Sequence, residues 1–379
     1  MALAYTPGLK VKKETTVQKM RRLPIAGEVL VKNGENVDFD TIVARTKVPG
    51  NVETIRASQM LGIEGDDVET LGQYMLKKVG ANVSKGEIIA KRISLFGMSK
   101  AFVEAPIDGT IEHVSDITGQ ITIREAPEPV EIKAYIPGRI VEVMSNEGVV
   151  VESGAALIQG IFGIGGETHG QIKVAVKSPE EALTEDMLDT SDKGKIVVGG
   201  AIVTGEALKK AASIGARGIV SGGVQDKDLR DLLGYEIGVA ITGQEESVVT
   251  LIITEGFGKM RMSTRTYELL KSNEGKEAAM NGATQIRAGV IRPEIIIPQG
   301  KIPEEKPDSE QAIISKGMQP GMTIRIIAEP YFGAIGTISA LPTELEKVES
   351  ESSVRILAVE LEGGEKAVVP RANVEIIEH

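Results

Sequence analysis

The sequence predicts a multidomain, β-rich protein with a central α/β layer, and three observations support this fold class. Short runs of β-forming residues, separated by glycine or proline, fill residues 23–178. From about Lys193 to Pro298, strand patterns alternate with amphipathic helical patterns. A third set of β-forming runs follows a polar, proline-bearing segment and ends near Ile377. Because 379 residues exceed the usual size of one core, we expect roughly two to four domains.

The composition excludes several kinds of site. The chain contains no cysteine, so disulfides, thiolate metal sites and cysteine nucleophiles are excluded. Its three histidines have no ligand spacing, and we expect neither a metal site nor a cofactor. The net charge of -11 argues against nonspecific nucleic-acid binding over the whole surface. No apolar run approaches the roughly 20 residues that cross a bilayer, so we expect a cytoplasmic protein without membrane insertion.

Residues 1–22 form a basic N-terminal arm. Its lysines and arginines are opposed by a single acidic residue, Glu14. The basic residues are Lys10, Lys12, Lys13, Lys19, Arg21 and Arg22. Such an arm is either a solvated, partly disordered tail or a contact for an anionic partner, and the first interpretation is favoured.

A repeated phrase marks residues 23–125 as one β module. Residues 30–37 and 76–83 share leucine, lysine, glycine, asparagine and valine at the same spacing, and each phrase leads to an apolar strand. A glycine-turned strand pair that occurs twice predicts a small barrel. The apolar spacing over residues 57–77 predicts a helical insertion between the two halves.

Together with residues 105–111, these repeats resemble the biotinyl and lipoyl carrier domains. They resemble equally the barrel-sandwich hybrids of RNA polymerase large subunits and of a component of the Rnf complex. Counting back from Pro106 and Gly109 by the spacing of the carriers leads to Met98, where the carriers have the modified lysine. Lys100 lies two residues out of register. The resemblance therefore implies a barrel-sandwich hybrid without the modified lysine.

Residues 126–190 predict an additional β module, and residues 191–298 predict the α/β domain. Within the α/β domain we expect strands over 195–203, 218–221, 237–242 and 248–254, with helices over 205–215, 226–233 and 263–272. The last helix begins beside a capping serine, Ser263.

Loops that follow strand ends supply the candidate ligand residues of the α/β domain. Ser221, Gly222 and Gly223 precede a helix whose exposed amides attract an anion. Glu255 with Lys259 is the weak candidate for catalysis, and Arg261 and Arg287 add positive charge for a phosphate or carboxylate. We expect these side chains to line one concave pocket if the domain binds a ligand. In the alternative, the glycines form turns and the charges are solvated.

The C-terminal region is predicted to be a small barrel of residues 313–379, which follows a linker of residues 299–312. The run from Gly321 to Ile338 resembles a KOW motif, as found in NusG-type elongation factors and some ribosomal proteins, and implies an SH3-like barrel. The resemblance implies a binding surface with candidate residues Arg325, Tyr331, Phe332 and Arg371. Because many glutamates make this module acidic, a protein partner is favoured over RNA.

The sequence therefore predicts a barrel-sandwich hybrid, an α/β layer and a C-terminal SH3-like barrel. The favoured function is a non-enzymatic cytoplasmic adaptor that associates with transcription or translation machinery. The alternative is an enzyme or small-anion-binding protein with its site in the α/β domain. A biotin or lipoyl carrier is the third hypothesis. The oligomeric state is left open.

Overall fold

The computed structural model describes residues 9–63, 71–93, 100–115, 117–234, 249–284, 291–302, 318–326, 331, 334–342, 345–347, 353–361 and 364–376. Within these ranges the protein is β-rich, with one large mixed sheet and four smaller sheets. None of the described helices is long and apolar enough to cross a membrane.

The N-terminal part contains eleven described strands and two single-turn helices, α1 (Ala57–Met60) and α2 (Leu71–Tyr74). The strands are β1 (Val11–Arg22), β2 (Glu28–Val29), β3 (Asn36–Val37), β4 (Ile42–Val48), β5 (Val52–Ile55), β6 (Asn82–Val83), β7 (Ile88–Ile93), β8 (Lys100–Glu104), β9 (Gly109–Ser115), β10 (Gln120–Arg124) and β11 (Glu128–Lys133). Both helices lie within the predicted helical insertion of residues 57–77, and residues 64–70 lie outside the described ranges.

The two repeated phrases form the same turn in two different places. Gly34 and Gly80 both have a left-handed backbone, with φ of +85° and +88°. Each is the third residue of a turn that is closed by a hydrogen bond, from Glu35 to Lys32 or from Ala81 to Lys78. After the first turn, β3 pairs with Gly138 and Arg139, whereas after the second turn β6 pairs with β9. Each half-repeat thus belongs to its own hydrophobic core, one around Ile140 and one around Ile111. The predicted boundary between residues 125 and 126 is crossed by the first core.

The large sheet has thirteen strands, of which β1 and β3 come from the N-terminal part. The remaining strands are β12 (Gly138–Met144), β13 (Gly148–Gln159), β14 (Phe162–Ile164), β15 (Glu167–Val174), β16 (Ala182–Leu183), β17 (Ile196–Val198), β18 (Ile202–Val203), β19 (Gly218–Val224), β20 (Thr250–Phe257), β21 (Glu277–Asn281) and β22 (Glu294–Pro298). Its helices are α3 (Gly205–Ile214), α4 (Asp226–Leu233) and α5 (Thr264–Ser272).

The centre of this sheet is the predicted α/β layer. Strands β15, β17, β19 and β20 pair in parallel, and the two outer regions pair antiparallel. Helices α3, α4 and α5 lie where the sequence predicts them, and the strand predicted over 195–203 is divided into β17 and β18. The strand predicted over 237–242 lies outside the described residues. Because β15 pairs with both β17 and β21, the sheet continues across the predicted boundary at residue 190.

The basic N-terminal segment is not a solvated tail over its described length. Strand β1 pairs antiparallel with β13 from Val11 to Arg22, and Val17 is buried in the core around Ile140. Several of its cations are neutralised within the fold, since Arg21 binds Glu167 through two hydrogen bonds and Lys19 pairs with Glu294. Lys19, Arg21 and Arg22 of this basic excess are therefore paired with carboxylates that are distant in the sequence.

The C-terminal module is an antiparallel sheet of six strands around its own core. The strands are β23 (Thr323–Ile326), β24 (Ile335–Ala340), β25 (Leu345–Lys347), β26 (Ser353–Leu361), β27 (Lys366–Pro370) and β28 (Val374–Ile376). The first residue of the predicted linker, Gln299, is bound to the large sheet, because its amide donates to the carbonyl of Gly154 on β13. Residues 303–312 of that linker lie outside the described ranges.

Candidate functional site

A cavity of about 470 Å³ lies where the C-terminal module meets the large sheet. The large sheet and α5 contribute one wall, strands β23, β24 and β26 contribute the other, and the start of the described chain closes one side. The lining residues are Leu9, Val11, Gln159, Thr254, Glu255, Ser263, Arg265, Thr266, Thr323, Arg325, Ile335, Gly336, Thr337, Glu360 and Leu361. A volume of this size falls within the range of about 300–1,000 Å³ that is common for small-molecule sites.

Glu255 lies near the end of β20 and is only 6% exposed. Its Oε1 accepts a hydrogen bond from the amide of Ser263 at 2.9 Å and lies 3.1 Å from the hydroxyl of Thr254. Ser263 is the N-cap of α5, so this carboxylate also faces the positive end of that helix. The predicted acidic candidate is therefore buried and held by several neutral donors.

Arg325 is the cationic partner of Glu255 and comes from the opposite wall. Its Nη1 donates to the carbonyl oxygens of Thr254 at 3.2 Å and Glu255 at 2.9 Å, and lies 3.6 Å from Glu255 Oε2. The residue is only 1% exposed. Guanidinium groups suit such a position because they present several donors in a fixed plane.

The prediction that Arg325 lies on an exposed binding surface is therefore corrected. Alternation along β23 directs Ile324 and Ile326 into the core of the C-terminal module, and places Arg325 on the outer face as expected. That outer face is covered, because β20 lies against it. The sequence pattern gives the direction of the side chain but not the packing of one module on another.

The same outer face supplies the rest of this wall. In the strand register Thr323 lies opposite Thr337, and Thr337 lies opposite Glu360. Ile335 is the partner of Arg325 in the same register. Hydroxyl, carboxylate and apolar groups thus lie beside the buried guanidinium on one continuous surface.

The first turn of α5 supplies charge and hydroxyl groups to the facing wall. Arg265 and Thr266 both line the cavity, and the Ser263 hydroxyl caps the helix by accepting from the amide of Thr266 at 3.2 Å. Although much of Arg265 is exposed, burial lowers the pKa of its guanidinium from the ordinary value. A positive group therefore lies at this wall.

Ser221, Gly222 and Gly223 do not form an anion-binding loop. The three residues lie inside β19 and are buried. The Ser221 hydroxyl donates to the carbonyl of Gly200 at 3.3 Å. A Cβ at Gly222 would lie 2.1 Å from the carbonyl oxygen of Met260, and one at Gly223 would lie 2.1 Å from that of Gly258. These glycines permit the chain after β20 to pack across the strand ends, so the chain itself occupies the predicted crevice.

The two basic candidates after Glu255 also lie away from the cavity. Lys259 is exposed, and Arg261 is exposed and engaged with Glu180 and with the hydroxyl of Thr264. The side-chain hydrogen bond from Arg261 lowers the pKa of Glu180. Arg287 lies outside the described residues. Of the described candidates in the α/β domain, Glu255 alone lines the cavity.

The remaining candidates of the C-terminal module have mainly structural contacts. Arg371 donates to the carbonyls of Ile356 at 3.0 Å and Pro342 at 2.7 Å, which ties β27 to its neighbours. Tyr331 is half-buried against the core of the module. Phe332 lies outside the described residues.

The sequence gives no signal for most of the cavity wall. Leu9, Arg265 and Glu360 come from separate segments and belong to no motif, and the KOW-like run does not mark Thr323 and Thr337 as wall residues. Only the docking of β23 and β24 against β20 and α5 brings them together.

A second polar cluster joins the first half-repeat to the large sheet. The ring of Phe39 stacks on His169, with centroids 4.6 Å apart, and His169 Nε2 lies 3.0 Å from Asp40 Oδ2. On the other side of the ring, Nδ1 lies 3.6 Å from Glu277 Oε2. Hydrogen bonds from Lys133 and His169 lower the pKa of Asp40. This cluster connects two modules and does not line the cavity.

The remaining kinds of site considered from the sequence are a metal centre and a modified lysine. Within the described ranges, no group of three or more histidine or acidic side chains is arranged to hold a metal ion. Lys100 begins β8 opposite Ile93, and Met98 lies outside the described residues. What the cavity offers is a buried ion pair, hydroxyl groups and an apolar side. No protein-family model matches the chain, and no curated protein matches it with significant similarity.

Proposed function

We propose that this protein binds a small organic anion in the cavity between the large sheet and the C-terminal module. The observation that carries the proposal is the cavity itself, whose floor is the buried pair of Glu255 and Arg325. Convergent polar groups beside an apolar side are a feature of small-molecule sites. The proposal retains Glu255 from the predicted site and replaces its other members with residues of the opposite wall.

The charge and polarity of the cavity walls indicate the chemical class of the ligand. Arg265 in the first turn of α5 favours a negatively charged group, either a carboxylate or a phosphate. Leu9, Val11, Ile335 and Leu361 provide an apolar side, which favours a hydrocarbon or aromatic body. A phosphate ester or carboxylic acid with an apolar substituent combines both features.

The contacts of Glu255 support binding rather than catalysis. Its carboxylate already accepts from the Ser263 amide and faces Arg325, so its oxygen atoms are engaged within the protein. A general base must instead reach a proton of the substrate. We therefore propose a non-enzymatic role for this site.

Thermal melting of the full chain tests the proposal. Benzoate, phenyl phosphate and a series of alkyl carboxylates and alkyl phosphates are added singly, and members of this set are expected to raise the melting temperature. Thr337→Trp places a large side chain at the cavity and is expected to abolish the shift. Ser339→Trp is the matched control, since Ser339 lies on the same strand, is exposed and does not line the cavity. A series without any shift would contradict the proposal.

A second candidate function is the adaptor that the sequence favours, with its docking surface on the second half-repeat. The supporting observation is the number of large apolar side chains exposed in this part of the chain: Val52, Met60, Leu76, Val79, Ile88, Ile93, Phe102 and Ile117. Under this proposal the partner is a protein of the transcription or translation machinery, and RNA is the alternative. Affinity purification from the native cell tests the adaptor proposal. A purified fraction in which no polymerase or ribosomal component is enriched would contradict it.

A further inference from the structure

The hydrogen bonds and ion pair described across the junction that encloses the cavity are those of Arg325. The hydrophobic cluster of the large sheet contains only residues from Val11 to Ile297, and that of the C-terminal module contains only residues from Met318 onward. Among the described side chains, no hydrophobic cluster spans the two. Modules that lack a large shared apolar interface are expected to move relative to each other.

The contact that joins the two walls most directly is Arg325. Its guanidinium leaves the outer face of β23 and donates to two carbonyl oxygens of β20. A buried ion pair contributes little net stability, because removing both charges from water offsets much of their attraction. Arg325 therefore specifies how the module docks more than it stabilises the docked state.

The cavity exists only in the docked arrangement. Thr254, Glu255 and Arg265 belong to one wall, and Thr323 and Thr337 belong to the other. A ligand that contacts both walls binds the docked state and has no such site in the undocked state. By mass action it shifts the population toward docking.

We propose that the C-terminal module docks reversibly through Arg325, and that occupation of the cavity by an organic anion shifts the module to its docked state. This inference rests on the proposed function and adds a regulatory consequence to it. When the cavity is empty, part of the population exposes the outer face of β23 with Arg325. The surface that the sequence assigns to partner binding is then available only in the undocked protein.

A distance measurement within the full chain tests the inference. The natural chain contains no cysteine, so Glu268→Cys on α5 and Val368→Cys on β27 create two specific sites for nitroxide labels. Both positions are exposed. Double electron–electron resonance then reports the distribution of distances between the large sheet and the C-terminal module. Benzoate and phenyl phosphate serve as the probes.

The expected results concern both the arginine and the probes. Arg325→Met, which keeps the length of the side chain and removes its donors, is expected to broaden the distance distribution. Arg325→Lys serves as the second variant, because it keeps the charge and is expected to give an intermediate width. Circular dichroism melting shows that each variant retains its folded sheets. A probe that binds is expected to narrow the distribution of the labelled parent protein at least twofold.

The opposite results separate the two claims. If a probe raises the melting temperature but leaves the distance distribution unchanged, coupled docking is wrong and the proposed binding function stands. If no probe binds, the proposed function is wrong, and the proposed coupling between ligand binding and docking is wrong as well. A distribution that is equally narrow in the parent protein, Arg325→Met and Arg325→Lys would show that docking does not depend on Arg325.

Discussion

Nη1 of Arg325 donates to the carbonyl oxygen of Glu255 at 2.9 Å and lies 3.6 Å from the carboxylate of the same residue. One guanidinium thus satisfies the main chain and faces the side chain of a single residue on another module. Both side chains are buried, Arg325 at 1% and Glu255 at 6% exposure. The contact between Arg325 and Glu255 forms the floor of the cavity and joins the two modules.

The first prediction concerns this pair. Glu255→Gln leaves the buried guanidinium without its carboxylate and is expected to cost about 3 kcal/mol of unfolding free energy. Arg325→Met is expected to cost a similar amount, and the double variant less than the sum, with coupling of about 1 kcal/mol or more. Denaturant unfolding followed by circular dichroism measures all three. Additive costs would show that the two groups do not interact.

Arg261→Met is the control for that cycle. Arg261 is an exposed arginine of the same region, and its ion pair with Glu180 lies at the surface. Its replacement is expected to change the unfolding free energy by less than about 1 kcal/mol.

The second prediction tests why glycine occupies position 222. A methyl group there would lie 2.1 Å from the carbonyl oxygen of Met260, so either β19 or the following loop must shift. Gly222→Ala is expected to destabilise the protein by about 1–3 kcal/mol. Gly166→Ala is the matched control, because the structure leaves open space around that position, and it is expected to be neutral. Equal melting temperatures for the two variants would contradict the close packing described for β19.

The third prediction concerns the contact between Asp40 and His169. The pKa of Asp40 is lowered by hydrogen bonds from Lys133 and His169. A lowered folded-state pKa adds stability above the ordinary value of 3.8, and this contribution is lost as the pH falls through the folded-state value. Because Asp40 is largely exposed, the contribution is expected to stay below about 1 kcal/mol.

Asp40→Asn tests this dependence. In urea unfolding at both pH values, the variant is expected to be slightly less stable than the parent protein at pH 7, and this difference is expected to be smaller at pH 2.5, below the ordinary value of 3.8. A stability difference that is unchanged between the two pH values would mean that the carboxylate charge is not responsible.

The fourth prediction concerns the turns of the two half-repeats. Gly34 and Gly80 both have positive φ, and a Cβ at Gly80 meets no atom within 4 Å. Gly80→Ala is therefore expected to cost only the left-handed backbone strain, about 1–2 kcal/mol. Gly80→Asn, which tolerates that conformation better, is expected to recover part of the loss in a thermal melt. Equal losses for both variants would point to a cause other than backbone conformation.

Local patterns in the sequence predict local structure well. The capping serine at Ser263 begins α5 as expected, and the helices from Gly205 and Asp226 follow their apolar periodicity. The glycine turns of the repeated phrase also form. These features depend on residues that are near one another in the chain, so their physical causes are visible in the sequence.

The long-range arrangement could not be derived in the same way. Nothing local indicates that β1 joins β13 or that the first half-repeat shares a core with Ile140. The role of Gly222 depends on the position of Met260, and the burial of Arg325 depends on β20. Each of these facts requires the packing of segments that are distant in the sequence.

Binding of an organic anion in the cavity is measured most directly by a crystal structure of the full chain with phenyl phosphate. We expect the phosphate to lie beside Arg265 and the N-terminus of α5, with the ring against Ile335 and Leu361. Phenyl phosphate bound elsewhere, or a cavity filled by side chains of the protein itself, would contradict the proposed function.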